Sequence, residues 1–327
     1  VNMIDSNDEL MMETMYWWGI PTLFRCKNDS DPKNCDIALV GVPHSTGNGT
    51  TERDQHLGPR AVRHVSAGFR RVHFDFGLNP WELKKIHDLG DVPLPEANNN
   101  EKCIERITQY FSKIADAKKP VVSIGGDHSI TGGILQGLAK ENSILTKGQK
   151  VSLLHIDAHT DTYNQLDHFL GAKKSAAHWA SYLVKQGQVD ASTSMQIGLR
   201  GNPRTLDWLQ PSYDLGYNVI TMAEFRERGL KSVITETQEK IGNNPIYITF
   251  DLDSLDSTIA PAVSNLEPSF TGFNMEEAKA LLQCVKSKNV IGGDVVCLMP
   301  TKDSPNNITA LVAASIMFEI ISVIASN

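Results

Sequence analysis

The chain lacks any pair of cysteines at metal-knuckle or redox spacing. Cys26, Cys35, Cys103, Cys284 and Cys297 are widely separated and never form a CxxC pair. That excludes a zinc knuckle and a disulfide framework, and it points to free thiols in a reducing compartment. A basic surplus is also missing, because 31 Lys and Arg stand against 38 Asp and Glu, for a net charge of −7. Nucleic acid and anionic membrane both call for a basic face, so neither partner is expected. No uncharged apolar run approaches the roughly 18 residues of a membrane span. Residues 1–16 are acidic and Met-rich, without the basic and apolar regions of a secretory leader, so a cytoplasmic location is the default expectation. There is no internal repeat, low-complexity tract or long Pro/Gly/Ser linker, and one domain is the economical reading of 327 residues.

What remains is a chain with 41% hydrophobic residues, enough for a sizeable core. Short, β-branched, nearly continuous apolar runs predict strands over 36–42, 85–89, 120–125, 150–157, 194–199, 218–222, 245–251 and 290–298. Amphipathic stretches predict helices over 58–71, 101–117, 129–140, 176–186, 230–240, 274–287 and 308–326. Strands alternating with helices imply a parallel sheet covered on both faces. Ligand sites in such sheets lie beyond the carboxyl ends of strands, which makes the irregular stretches 47–56 and 163–175 candidate site loops.

Three polar clusters sit where predicted strands end. They are Gly125-Gly126-Asp127-His128-Ser129, Asp157-Ala158-His159-Thr160-Asp161 and Asp251-Leu252-Asp253-Ser254-Leu255-Asp256. Carboxylates gathered at the mouth of one sheet repel each other and are costly to desolvate unless cations intervene. Asp157, Asp161, Asp251 and Asp253 supply four negative charges, and two divalent ions would neutralise them. The imidazoles of His128 and His159 add nitrogen ligands suited to Mn, Ni, Fe or Zn. So much carboxylate argues against a structural zinc. Two ions about 3.5–4 Å apart can share a water and lower its pKa towards neutrality, which is hydrolase chemistry.

The three clusters resemble the GGDHS, DAHxD and DxDxxDP motifs of the ureohydrolases, the group of arginase, agmatinase and guanidinobutyrase. The first two are intact here, and the third reads DLDSLD followed by Ser257 in place of Pro. The similarity runs from about Cys35 to the end, which divides the chain into an extension, 1–34, and a single ureohydrolase-like domain, 35–327. It implies a three-layer α/β/α sandwich around an eight-stranded parallel sheet. It also implies that His128, Asp157, His159, Asp161, Asp251 and Asp253 hold two ions, Mn2+ or Ni2+, and that a guanidino group is hydrolysed by a trimer or hexamer. Asp161 is expected to orient the attacking water.

Two departures from the family pattern stand out. Where relatives place a glutamate in a D-V-V-E run, this chain reads Asp294-Val295-Val296-Cys297, so the carboxylate expected to grip a guanidinium is absent. The family's loop histidine falls at Ala176, leaving His178 or His168 to serve as the acid–base residue. Tyr163, Asn164, Asn265 and Cys297 are the expected substrate contacts, with Tyr163, Phe169, Trp179 and Leu266 suited to methylated nitrogens. An unusual guanidine or a biguanide such as metformin is therefore the expected substrate, giving urea or guanylurea plus an amine. The chain is also similar to a subunit of the nickel-dependent, hetero-oligomeric metformin hydrolases. That leaves open a second role, as a metal-binding but weakly active partner of a paralogous subunit.

Overall fold

The computed structural model describes residues 15–49, 53–164 and 172–327. All eight long predicted strands form, with ends that shift by a residue or two; the one predicted over 85–89 runs on to Asp91. In chain order they are β2 (Ile37–Val42), β3 (Ile86–Asp91), β4 (Val121–Gly125), β5 (Ser152–Ile156), β6 (Met195–Leu199), β7 (Asn218–Thr221), β8 (Ile246–Asp251) and β9 (Val290–Val296). A ninth strand, β1 (Lys27–Asn28), pairs with β3, so the sheet has nine strands where eight were expected. Both β1 residues are exposed and polar, which is why no apolar pattern announces it. The order is β1-β3-β2-β4-β9-β8-β5-β6-β7, and every neighbouring pair is parallel.

Helices cover both faces. One layer holds α3 (Asn100–Asp116), α4 (Ser129–Leu138), α5 (Trp179–Lys185) and α6 (Gln210–Leu215). Its core runs through Ile104, Phe111, Ile134, Trp179 and Leu183 to the sheet residues Ala38, Val121, Leu153 and Tyr247. The other layer holds α1 (Gly58–Ser66), α2 (Pro80–Leu83), α7 (Met222–Arg228), α8 (Leu230–Ile241), α9 (Met275–Gln283) and α10 (Ile308–Ala325). It meets Leu39, Ile124, Leu154 and Ile248 on the opposite face. Residues alternate between the two cores along each strand, yet both sides are apolar, so the strands read as continuous hydrophobic runs. Leu23 and Phe24, ahead of the predicted domain start, are buried in the second of these cores.

α10 is long and apolar enough to cross a membrane, the only such helix among the described residues. It is instead a core helix, 78% buried. Its single charge, Glu319, accepts hydrogen bonds from His73 Nε2 at 3.0 Å and Gln283 Nε2 at 2.9 Å.

Candidate metal centre

The strand order sets β4, β9, β8 and β5 side by side, so all three polar clusters open at one edge. After β4 the chain turns at Gly126 with φ of 54°, and a Cβ there would lie 2.6 Å from the carbonyl oxygen of Val42. Asp127 takes no part in the cluster. Its carboxylate accepts the amide of Gly47 (2.8 Å) and the amide and hydroxyl of Ser129 (3.0 and 2.5 Å), which fixes the start of α4 and a loop of the site. His128 is left pointing over the strand ends.

The other clusters are folded by the same kind of short-range bond. Asp157 Oδ1 accepts the amide of His159 at 2.7 Å, and Asp251 Oδ1 accepts the amide of Asp253 at 2.9 Å. The 3-10 turn Leu252–Ser254 thereby brings Asp251 and Asp253 to the same edge. Arg200 holds that turn from below, donating to the carbonyl oxygens of Asp253, Ser254 and Leu255 at 2.7–3.0 Å. Asp256, the last acid of the third motif, caps its own turn on Thr258 and Gly272.

The six predicted ligands converge. His128 Nδ1 lies 3.0 Å from Asp157 Oδ2, 3.0 Å from Asp161 Oδ2 and 3.2 Å from Asp251 Oδ2. His159 Nδ1 lies 3.2 Å from Asp253 Oδ2 and 3.5 Å from Asp157 Oδ1. Two ligand groups result, with Asp157 common to both. In the deeper one, His128 Nδ1 is buried among three carboxylate oxygens without forming a directional hydrogen bond to any of them. No Lys or Arg among the described residues pairs with these four acids. A divalent cation in each group satisfies both facts, so the donor set fits two ions bound through carboxylate and imidazole.

Residues that the sequence did not single out orient the ligands. Thr249 gives its proton to Asp294 Oδ1 (2.6 Å), and its oxygen accepts from His128 Nε2 (2.8 Å). That fixes the tautomer and leaves Nδ1 bare. Asp294 also accepts the hydroxyls of Thr131 and Tyr247, both at 2.8 Å. On the outer side, His159 Nε2 donates to Glu267 Oε1 at 3.2 Å. His155 lies within the deeper group, but its Nδ1 accepts from Gln196 and its Nε2 donates to Asp157 Oδ2 at 2.9 Å, so it supports a ligand rather than being one. Its position two residues before Asp157, on the same strand face, was the available clue. Thr249 stands in the same relation to Asp251, but the residue it orients, His128, lies 121 residues away, and Glu267 lies 108 from His159, so their roles left no local clue.

In the metal-free chain the clustered groups shift one another's protonation. Burial alone would lower the pKa of His128, but the carboxylates of Asp157, Asp161 and Asp251 crowded against Nδ1 raise it well above the usual value. His159 is raised the same way, against its burial, by Asp253, Asp157 and Glu267. Burial opposes the ionisation of Asp157, yet three histidines hold its pKa far below the carboxylate range. Asp253 goes up, through burial and the charge of Asp251.

A cleft of about 620 Å3 opens over the cluster. Tyr163, Asn265, Leu266 and Cys297 line it, together with Asn48, Trp208, Arg204 and Glu267. Cys297 has φ of 72°, and burial plus the Asp251 and Asp253 charges push its thiol pKa up, so it stands as a neutral group. Asn164 turns towards α5, where Ser181 and Lys185 donate to it. His178 is buried 2.5 Å from the Ser175 hydroxyl; Ala176 and Ala177 line the cleft in its stead. Trp179 is fully buried behind Asp161 and cannot line the cleft, because α5 begins there and points the indole into the core. His168 and Phe169 lie outside the described residues.

A model of the arginase family matches residues 35–322. The chain is 34% identical over 306 residues to the human mitochondrial guanidino acid hydrolase, covering 93% of this chain and 82% of that one. It is 31% identical over 311 residues to guanidinopropionase of Pseudomonas aeruginosa, covering 94% and 93%. The solved structure of proclavaminate amidino hydrolase from Streptomyces clavuligerus superposes with a TM-score of 0.86 at 28% identity, over 95% of this chain and 99% of that one. With the family match running from just before β2 into α10, and the six predicted ligands gathered on one edge of the sheet, the chain belongs to the arginase family.

Proposed function

We propose that this chain hydrolyses a guanidino C–N bond, releasing urea or guanylurea plus an amine. The observation that carries the reading is the convergence of His128, Asp157, His159, Asp161, Asp251 and Asp253 around two ligand groups at the floor of an open cleft. Two divalent ions, Mn2+ or Ni2+, would supply Lewis acidity and a water of lowered pKa. Asp161, which lines the cleft, orients that water towards the guanidino carbon. The bound substrate rests against Tyr163, Trp208 and Leu266, and Glu267 offers negative charge at the mouth.

The neutral Cys297 thiol supports an unusual substrate. A fixed carboxylate there would form a two-pronged bond with a compact guanidinium. Without it, a substituted guanidine or a biguanide with delocalised charge, such as metformin, suits the cleft better. We further propose a trimeric or hexameric assembly, alone or with a paralogous subunit. The five free, buried thiols support a cytoplasmic setting. The loss of the carboxylate at Cys297 also favours a second reading, in which the chain is the weakly active partner in a mixed oligomer.

One experiment separates the two readings. Urea and amine release is measured for the Mn2+- or Ni2+-loaded protein against guanidines and metformin, alone and with a ureohydrolase paralogue. Turnover by the chain alone, lost in Asp161→Ala, establishes an independent hydrolase. Turnover only with the paralogue, surviving Asp161→Ala, makes it the supporting subunit. Silence in both arms rejects the hydrolase reading.

A further inference from the structure

Asp161 is held in an unusual way. Its backbone lies in the left-handed region, with φ of 51°, which a non-glycine residue adopts only when its surroundings impose it. The first turn of α5 imposes it here. Ala180 donates its amide to the carbonyl oxygen of Asp161 at 3.2 Å, and Tyr163 donates its own to Ala177 at 3.0 Å. The Trp179 indole N–H donates to Asp161 Oδ2 at 2.7 Å. That same oxygen lies 3.0 Å from His128 Nδ1.

The indole ring does a second job. Its centroid lies 4.8 Å from that of His128 and 4.9 Å from that of His155, so it packs against both imidazoles of the deeper group. The space is kept by Gly132 on α4, where a Cβ would stand 3.1 Å from Trp179 Cβ and 1.7 Å from the Tyr182 hydroxyl oxygen. Trp179 has no exposure to solvent, and its only polar atom is committed to Asp161.

We infer that Trp179 is a positioning residue of the deeper metal site, reserving Asp161 Oδ2 in its ligating orientation through the indole N–H. The inference rests on the two-metal reading above. An indole N–H bonded to a buried carboxylate is charge-assisted, and it locks a side chain whose backbone is already strained. It also answers why a large aromatic residue sits beside a site that it does not line.

The test compares wild type, Trp179→Phe and Trp179→His by Mn2+ titration calorimetry, with tryptophan fluorescence followed in parallel. Wild type should bind two Mn2+ and show quenching as the deeper site fills. Phe keeps a buried ring but has no N–H, and should weaken one of the two binding steps by about 10–100-fold. His restores a donor and should recover part of that loss. The part of the quenching that comes from Trp179 should be missing from both variants, which leaves that of Trp208 in the cleft. Should Phe not fold, the isosteric 3-benzothienylalanine at position 179 removes the N–H alone and should show the same weakened step. Two wild-type binding steps in Trp179→Phe or in the benzothienyl protein would overturn the inference and leave the metal reading intact. A wild-type protein that takes up neither Mn2+ nor Ni2+ would overturn both.

Discussion

The two histidines of the candidate metal centre are equivalent in sequence terms and unlike in structure. The His128 side chain is 2% exposed, and its outer nitrogen is fixed by the Thr249 hydroxyl, which leads to Asp294, a fully buried carboxylate between β4 and β8. The His159 side chain is 30% exposed, and its outer nitrogen is held by Glu267, on a loop at the mouth of the cleft. One ligand is oriented by the core, the other by a surface loop. A site oriented by the core is set once the sheet is packed. A site oriented by the mouth shares its support with whatever enters the cleft.

The comparison can be broken at four points. His128→Ala should have the largest effect. It removes the only nitrogen ligand of the deeper group, and turnover should fall by at least about a thousandfold, the scale of losing a preorganised electrostatic centre. Metal analysis should then find one ion where wild type holds two; two tightly held ions would refute the ligand assignment. Thr249→Val comes next. It strands the His128 Nε2 proton and one oxygen of Asp294 inside the core, at a cost of about 1–3 kcal/mol in stability. It should also weaken the deeper site by about 10–100-fold, which calorimetry and thermal melting both read.

Glu267→Ala should do less, about tenfold and in the outer binding step alone, because its partner is partly solvated. If it weakens both steps equally, the division into core-built and mouth-built halves is wrong. The smallest effect is one of pH. In the metal-free protein His128 and His159 titrate above their ordinary value, so their pairing with the acids stabilises fully below about pH 6.5 and fades as pH rises through the folded values. The melting temperature of metal-free protein should therefore drift down on the alkaline side. Metal affinity should rise over the same range, since protons then compete less. Parallel slopes for the two forms would contradict the exchange of protons for ions.

Much of this was legible in the sequence. Strands buried on both faces announce themselves as apolar runs, and the six converging side chains fall within three short motifs at strand ends. Elements too short to show a period were not legible, as with Lys27–Asn28, Pro80–Leu83 and Gln210–Leu215. Nor were partners brought together only by folding. Thr249 lies 121 residues from His128, and Glu267 lies 108 from His159. Trp179 was misread for a related reason. An aromatic residue beside a site loop looks like a wall of the cleft, and only the start of α5 shows that it faces the other way.

The order of strands has a consequence for how the molecule is made. β9 lies at the middle of the sheet, between β4 and β8, yet it follows every other strand in the chain, and α10 comes later still. During synthesis the two halves of the sheet stay unjoined until β9 has emerged. The deeper ligand group draws on both halves, with His128 after β4, Asp157 after β5 and Asp251 at the end of β8, so the cluster that would hold an ion is assembled only in the last act of folding. Until then α10, apolar enough for a bilayer, has no sheet to cover, and a stalled or shortened chain is the form most prone to aggregate.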